Sequence, residues 1–145
     1  MRLNFLCAAL AIICSSSAQA GAVQVLITNV IPNGSNVLVA LCRSALDPQE
    51  CERTQTASAT SESVTVTFED VPPGRYAVAA YQDLDRTGVL RRGKIGLPLE
   101  PYGFSNGAGM TRRPKFEAAA FDVGEDGRRL TVTLRRVNQR QRGDE

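Results

Sequence analysis

The stretch with the clearest chemical potential is Asp83-Leu84-Asp85-Arg86-Thr87-Gly88, which sets oxygen-bearing side chains at alternate positions ahead of a glycine. Hard cations such as calcium take about six to eight oxygen ligands, and this alternation aims successive oxygens at one centre. Asp83, Asp85 and Thr87 are therefore the candidate metal ligands, with calcium as the one cofactor worth considering. An EF-hand loop would also need a ligand at its ninth position and a bidentate acid at its twelfth, which here are Arg91 and Lys94. Two cations in ligand positions restrict any binding to the weak end. The preferred reading is a turn in which the carboxylates cap backbone N–H groups, with no cofactor expected.

The residue types available exclude much else. The chain has no histidine, which removes Ser-His-Asp and Cys-His nucleophiles and every His-ligated metal site. No Ser-x-x-Lys pair, Gly-rich phosphate loop or nucleophile elbow occurs. Asp83, Asp85, Glu100 and Glu117 leave a carboxylate-dependent hydrolase as the residual enzymatic alternative. Glu117 is expected outward on a strand, however, and the other three fall in a loop. The expectation is a protein that is not an enzyme. A second set, Glu100, Tyr102, Ser105 and Asn106, could floor a ligand groove on that same loop, because loops on rigid scaffolds carry binding sites. Absence of Trp and an aromatic content of 6% provide little surface for stacking on bases or sugars. The net charge of +2 sets no strong preference for nucleic acid or an anionic membrane.

The start of the chain carries a processing signal. Met1-Arg2, the apolar run from Leu3 to Cys14 and the small-residue site Ala18-Gln19-Ala20 form a secretory signal peptide over residues 1–20. The apolar run is too short to span a bilayer, and no later segment in the sequence is long and apolar enough to do so. Cleavage would remove Cys7 and Cys14, leaving Cys42 and Cys51 to form one disulfide in an oxidising compartment, the periplasm or the exterior. The spacing of these two cysteines is not that of a Cys-x-x-Cys redox motif, and two soft ligands make a poor zinc site. Residues 21–137 then form one domain, followed by a polar tail over 138–145.

The elements that must position these residues alternate with the period of strands. Ala22–Ile31 and Asn36–Arg43 flank Pro32-Asn33-Gly34 and read as a hairpin. Residues 44–61 are polar and read as a loop held by the disulfide. Ser63–Val71 alternates cleanly, and Arg75–Gln82 is apolar on both faces, as a central strand would be. From Asp83 to Arg113 the period vanishes, a length of irregular chain that is normally functional. Lys115–Val123 and Arg128–Val137 complete the pattern. The fold class is all-β, an antiparallel β-sandwich of about six to eight strands.

Three segments together carry a resemblance: Pro72-Pro73-Gly74-Arg75-Tyr76-Ala77-Val78, the run Ile95-Gly96-Leu97-Pro98-Leu99-Glu100-Pro101-Tyr102-Gly103-Phe104-Ser105-Asn106, and Phe116-Glu117-Ala118-Ala119-Ala120-Phe121. In this order they resemble the bacterial exported family known as domain of unknown function 2141, over about Val23 to Leu134. The resemblance implies a small secreted sandwich of transthyretin-like or immunoglobulin-like kind with no established activity. Its members usually place His, then alternating Asp and Asn, and finally Asp in the acidic turn. Here Gln82 stands for the His, Asp85 and Thr87 for the Asn residues, and Arg91 for the final Asp. The expected function is a non-catalytic binding or cell-envelope module using the 83–106 loop, with an envelope protein or ligand as partner and no nucleic acid. A weak calcium-binding secreted domain is the alternative.

Overall fold

The computed structural model describes residues 20–94, 96, 98–109 and 113–136. The expected signal segment up to residue 19 and the polar tail lie outside the described residues. Among the described residues there are eight strands, β1 (Gly21–Thr28), β2 (Asn36–Cys42), β3 (Arg53–Ser58), β4 (Ser63–Val71), β5 (Gly74–Asp83), β6 (Tyr102–Phe104), β7 (Phe121–Val123) and β8 (Arg128–Thr133), with a short helix α1 (Phe116–Ala119) and a single 3-10 turn at Ser105–Gly107. They form two sheets, β4-β1-β8 and β3-β2-β5-β6, with β7 also on β5. All pairings are antiparallel except β1 with β8.

The alternation in the sequence becomes the core. Val23, Val25 and Ile27 of β1 and Val66 and Phe68 of β4 meet Val37, Val39, Leu41, Val78 and Ala80 of the other sheet. β5 is buried from Tyr76 to Asp83, in keeping with its two apolar faces. Its inner face joins this core. Its outer face, at Ala79, packs with Ala40 and Cys42 beneath Cys51 and Phe104. The disulfide joins Cys42 to Cys51, and Cys51 packs over this small outer cluster.

Three local readings change. β1 and β2 are not a hairpin, because β1 pairs with β4 and β8 while β2 lies in the opposite sheet. Alternation fixes which side chains face inward but not which strand is the neighbour. The segment 44–61 contains β3, whose polar residues form an edge strand and so lack an apolar period. The segment 115–123 opens as α1, where Glu117, Ala118 and Ala119 favour a helical turn, and only its last three residues form β7.

Both flanks of the sandwich are bridged by hydrogen bonds between the sheets. Tyr102 and Arg135 exchange backbone hydrogen bonds of 3.0 and 2.8 Å, joining β6 to the chain leaving β8. On the other flank Arg53 and Gln55 of β3 donate side-chain hydrogen bonds to the carbonyls of Glu69, Asp70 and Thr67 on β4. Occupied edge groups cannot template pairing with another chain.

Candidate functional site

The acidic turn begins where β5 ends. Asp83 is 1% exposed, and its two carboxylate oxygens accept the N–H groups of Thr87 at 3.0 Å and Gly88 at 2.8 Å. These bonds fold residues 83–88 into a tight loop, with Arg86 at φ +58° and Gly88 at φ +77°. Tyr81, two residues earlier on the same strand, donates its hydroxyl to the Gly88 carbonyl at 3.1 Å. Burial, reinforced by the nearby charges of Asp83 and Glu100, pushes the Tyr81 phenol up to about 12.

Asp85 is exposed and accepts both the Thr87 hydroxyl at 2.8 Å and the Thr87 N–H at 3.2 Å. The Arg91 guanidinium forms a salt bridge with its other oxygen. Partial desolvation works to raise the Asp85 carboxyl, but the Thr87 hydrogen bonds, a contact with Asp83 and the Arg91 charge together outweigh it and hold the group below its ordinary value. Glu100 closes the centre from the far end of the loop. It is 2% exposed, and its carboxylate accepts the N–H of Leu84 at 2.9 Å and that of Arg91 at 3.4 Å. Burial raises the Glu100 carboxyl, and the neighbouring charges of Asp85 and Asp83 add to this, while the two amide donors oppose it.

Asp83, Asp85 and Glu100 thus bring carboxylate oxygens within 4.8 Å of one another. The acidic donor set suits a hard cation, with Asp83, Asp85 and Glu100 as the residues that would hold it. Against this, the centre already holds a cation of its own, the Arg91 guanidinium. Thr87, the third expected ligand, directs its hydroxyl at Asp85 and the Val89 carbonyl. The sequence reading grouped Glu100 with Asp83 and Asp85 as an acid but not as a metal ligand, since its distance along the sequence follows no ligand-loop spacing.

The four residues expected to floor a groove each have other partners in the structure. Glu100 belongs to the acidic centre. Ser105 is fully buried; its hydroxyl accepts the Val78 N–H at 2.9 Å and donates to the Ala119 carbonyl at 2.6 Å, fastening the loop exit to β5 and α1. Asn106 takes φ +57° and donates to the Ala120 carbonyl at 2.8 Å. Tyr102 is half-buried, edge-on to Phe104 at 5.8 Å, and borders a shallow depression of about 310 Å³ shared with Thr133 and Arg135. Gln82 is the buried polar residue that sequence reading missed as a structural element; its side-chain amide binds the segment Ile31–Ser35.

These features define a small β-sandwich that carries one long loop braced by buried acids. The family model described as "Uncharacterized protein conserved in bacteria (DUF2141)" matches residues 25–131, and the chain belongs to that family. No curated protein and no solved structure gives a significant match. Among the described residues, no helix is long and apolar enough to cross a membrane.

Proposed function

We propose that this protein is an exported, non-catalytic module that binds through its Asp83–Asn106 loop. One observation carries the reading: the loop spends its buried polar groups on its own shape. Asp83 and Glu100 hold the amides of Leu84, Thr87, Gly88 and Arg91, and Ser105 holds β5 and α1. A loop braced in this way is a preformed contact surface on a rigid scaffold. A general acid or base must instead reach a proton of its substrate, and these carboxylates are committed to backbone donors. Export is supported by the signal-like residues 1–20 and by the Cys42–Cys51 bridge, which belongs in an oxidising compartment such as the periplasm.

The test is fractionation of the native host. Mature protein should begin at Gly21, carry the closed disulfide and be retained with the envelope fraction. Replacing Val89 and Leu99 on the loop by serine should release it. Retention that is identical for wild type and variant would remove the loop from the binding surface.

A further inference from the structure

We propose that the outer surface of the loop docks on an anionic lipid bilayer, an inference that rests on reading the loop as the contact surface. Among the described residues, the exposed large hydrophobic side chains are Leu26, Leu84, Val89 and Leu99, at 36–43% exposure. A lone exposed aliphatic is ordinary. Three of these four, however, sit on one braced loop. The Leu84 N–H binds Glu100 and the Leu99 N–H binds the Arg91 carbonyl at 2.9 Å, so positions 84, 91 and 99 are drawn to the same centre.

Charge selects the occupant. The loop's acids are neutralised or withdrawn: Asp85 is paired with Arg91, while Asp83 and Glu100 are buried on amides. Arg86, Arg92 and Lys94 are exposed, and none forms a salt bridge among the described residues. The near-neutral total conceals this. Residues 43–82 carry six acids against three bases, whereas residues 83–136, from the loop onward, carry eleven bases against seven acids. The acidic part includes β4, with Glu69 and Asp70, on one flank of the sandwich. The basic part includes β8 on the other, joined to the loop exit by the Tyr102–Arg135 pair. A soluble polyanion would satisfy the cations and leave the aliphatic side chains in water. An apolar protein groove would leave the cations unpaired. The interface of an anionic bilayer accepts both, with headgroups on the cations and the acyl boundary on Leu84, Val89 and Leu99.

The experiment is flotation of the mature protein with vesicles of phosphatidylglycerol mixed into phosphatidylcholine, against vesicles of phosphatidylcholine alone. The expected result is binding to the anionic vesicles that weakens with salt and is much reduced on the neutral ones. Arg86→Asn with Lys94→Gln should lower partitioning about 25-fold, at a factor of about five for each cation. Val89→Ser with Leu99→Ser should lower it about 10-fold, and because all four sites are exposed, circular dichroism should show an unchanged fold. No binding to anionic vesicles, or binding that neither pair of substitutions alters, overturns the proposal. If vesicles fail to bind while the serine variant is still released from the envelope fraction, the occupant is a protein: the lipid proposal falls and the contact-surface reading stands.

Discussion

Gln82 and Ile31 form a closed pair of hydrogen bonds: the Ile31 N–H donates to Gln82 Oε1 at 2.9 Å, and Gln82 Nε2 donates to the Ile31 carbonyl at 2.7 Å. The side-chain amide thus stands in for a strand's backbone. Gln82 Nε2 also reaches Asn33 Oδ1 at 3.2 Å and Ser35 Oγ at 2.9 Å, so one fully buried side chain fixes the connection between β1 and β2. Because Gln82 directly precedes Asp83, the same strand end anchors the intersheet connection with one residue and the acidic turn with the next.

Gln82→Leu keeps the volume but leaves the Ile31 N–H and carbonyl without this partner. The expected loss is about 1–3 kcal/mol, chiefly from the Ile31 N–H, since the Ile31 carbonyl still accepts the Asn33 N–H at 2.8 Å. Urea denaturation should show a lower midpoint with an unchanged slope. A midpoint equal to wild type would mean that water or a rearranged loop takes the place of the amide.

The strands of the core were legible because one face of each is apolar: Val64, Val66 and Phe68, or Val23, Val25 and Ile27, announce themselves at period two. Their partners were not, which is why β1 and β2 read as a hairpin across Pro32-Asn33-Gly34. What settles the matter is a buried amide fifty-one residues away, and no local pattern encodes that contact. The site divides in the same way. Asp83, Asp85 and Thr87 announce a turn by their spacing, and the turn is there. Glu100 and Ser105 have roles set by long-range burial, so their chemistry looked available for ligand when it is committed to backbone.

Gly103 is required by a close approach. A Cβ at this position would lie 2.5 Å from the Thr133 carbonyl oxygen, which is backbone and cannot swing aside. Gly103→Ala should therefore cost about 1–3 kcal/mol and loosen the β6–β8 flank, giving faster amide exchange at Tyr102 and Arg135. Gly124→Ala is the control, since nothing lies within 4 Å of its added methyl. Equal melting temperatures for the two variants would show that the flank is free to part.

The Cys42–Cys51 bridge closes a short loop of sequence separation 9. In the chain-entropy view such a loop contributes about 2–3 kcal/mol, and it covers Ala40 and Ala79 as well. Cys42→Ser with Cys51→Ser should lower stability by at least that amount, as should reduction of the wild type. A double variant as stable as the oxidised protein would leave the bridge with no role in the outer cluster.

Alkaline pH should expose the environment of Tyr81. Its phenol is pushed up to about 12 in the folded protein, from an ordinary value of 10.0. The folded state holds this proton more tightly than the unfolded state does. Its stabilising contribution is thus complete below pH about 10 and is lost as pH rises through about 12. The ultraviolet phenolate signal of wild type minus that of Tyr81→Phe should have its midpoint near pH 12. A difference midpoint near 10 would contradict a buried hydroxyl held on Gly88 beside two carboxylates.

Arg91 is the cation that the acidic centre already owns. Its guanidinium pairs with Asp85 while its backbone N–H binds Glu100, so one residue serves two of the three carboxylates. In Arg91→Gln the amide remains and the charge is lost, leaving Asp83, Asp85 and Glu100 with oxygens within 4.8 Å of one another and no guanidinium among them. Repulsion should lower the melting temperature, most at low ionic strength. Calcium should then restore it in the millimolar range, because a native-state ligand at ten times its dissociation constant contributes about 1.4 kcal/mol. Wild type should respond less, since calcium must first displace the guanidinium. Adding Asp85→Asn to Arg91→Gln should abolish the response. A variant that ignores millimolar calcium, or a wild type that responds as strongly as the variant, would show that Arg91 does not occupy the place of an ion.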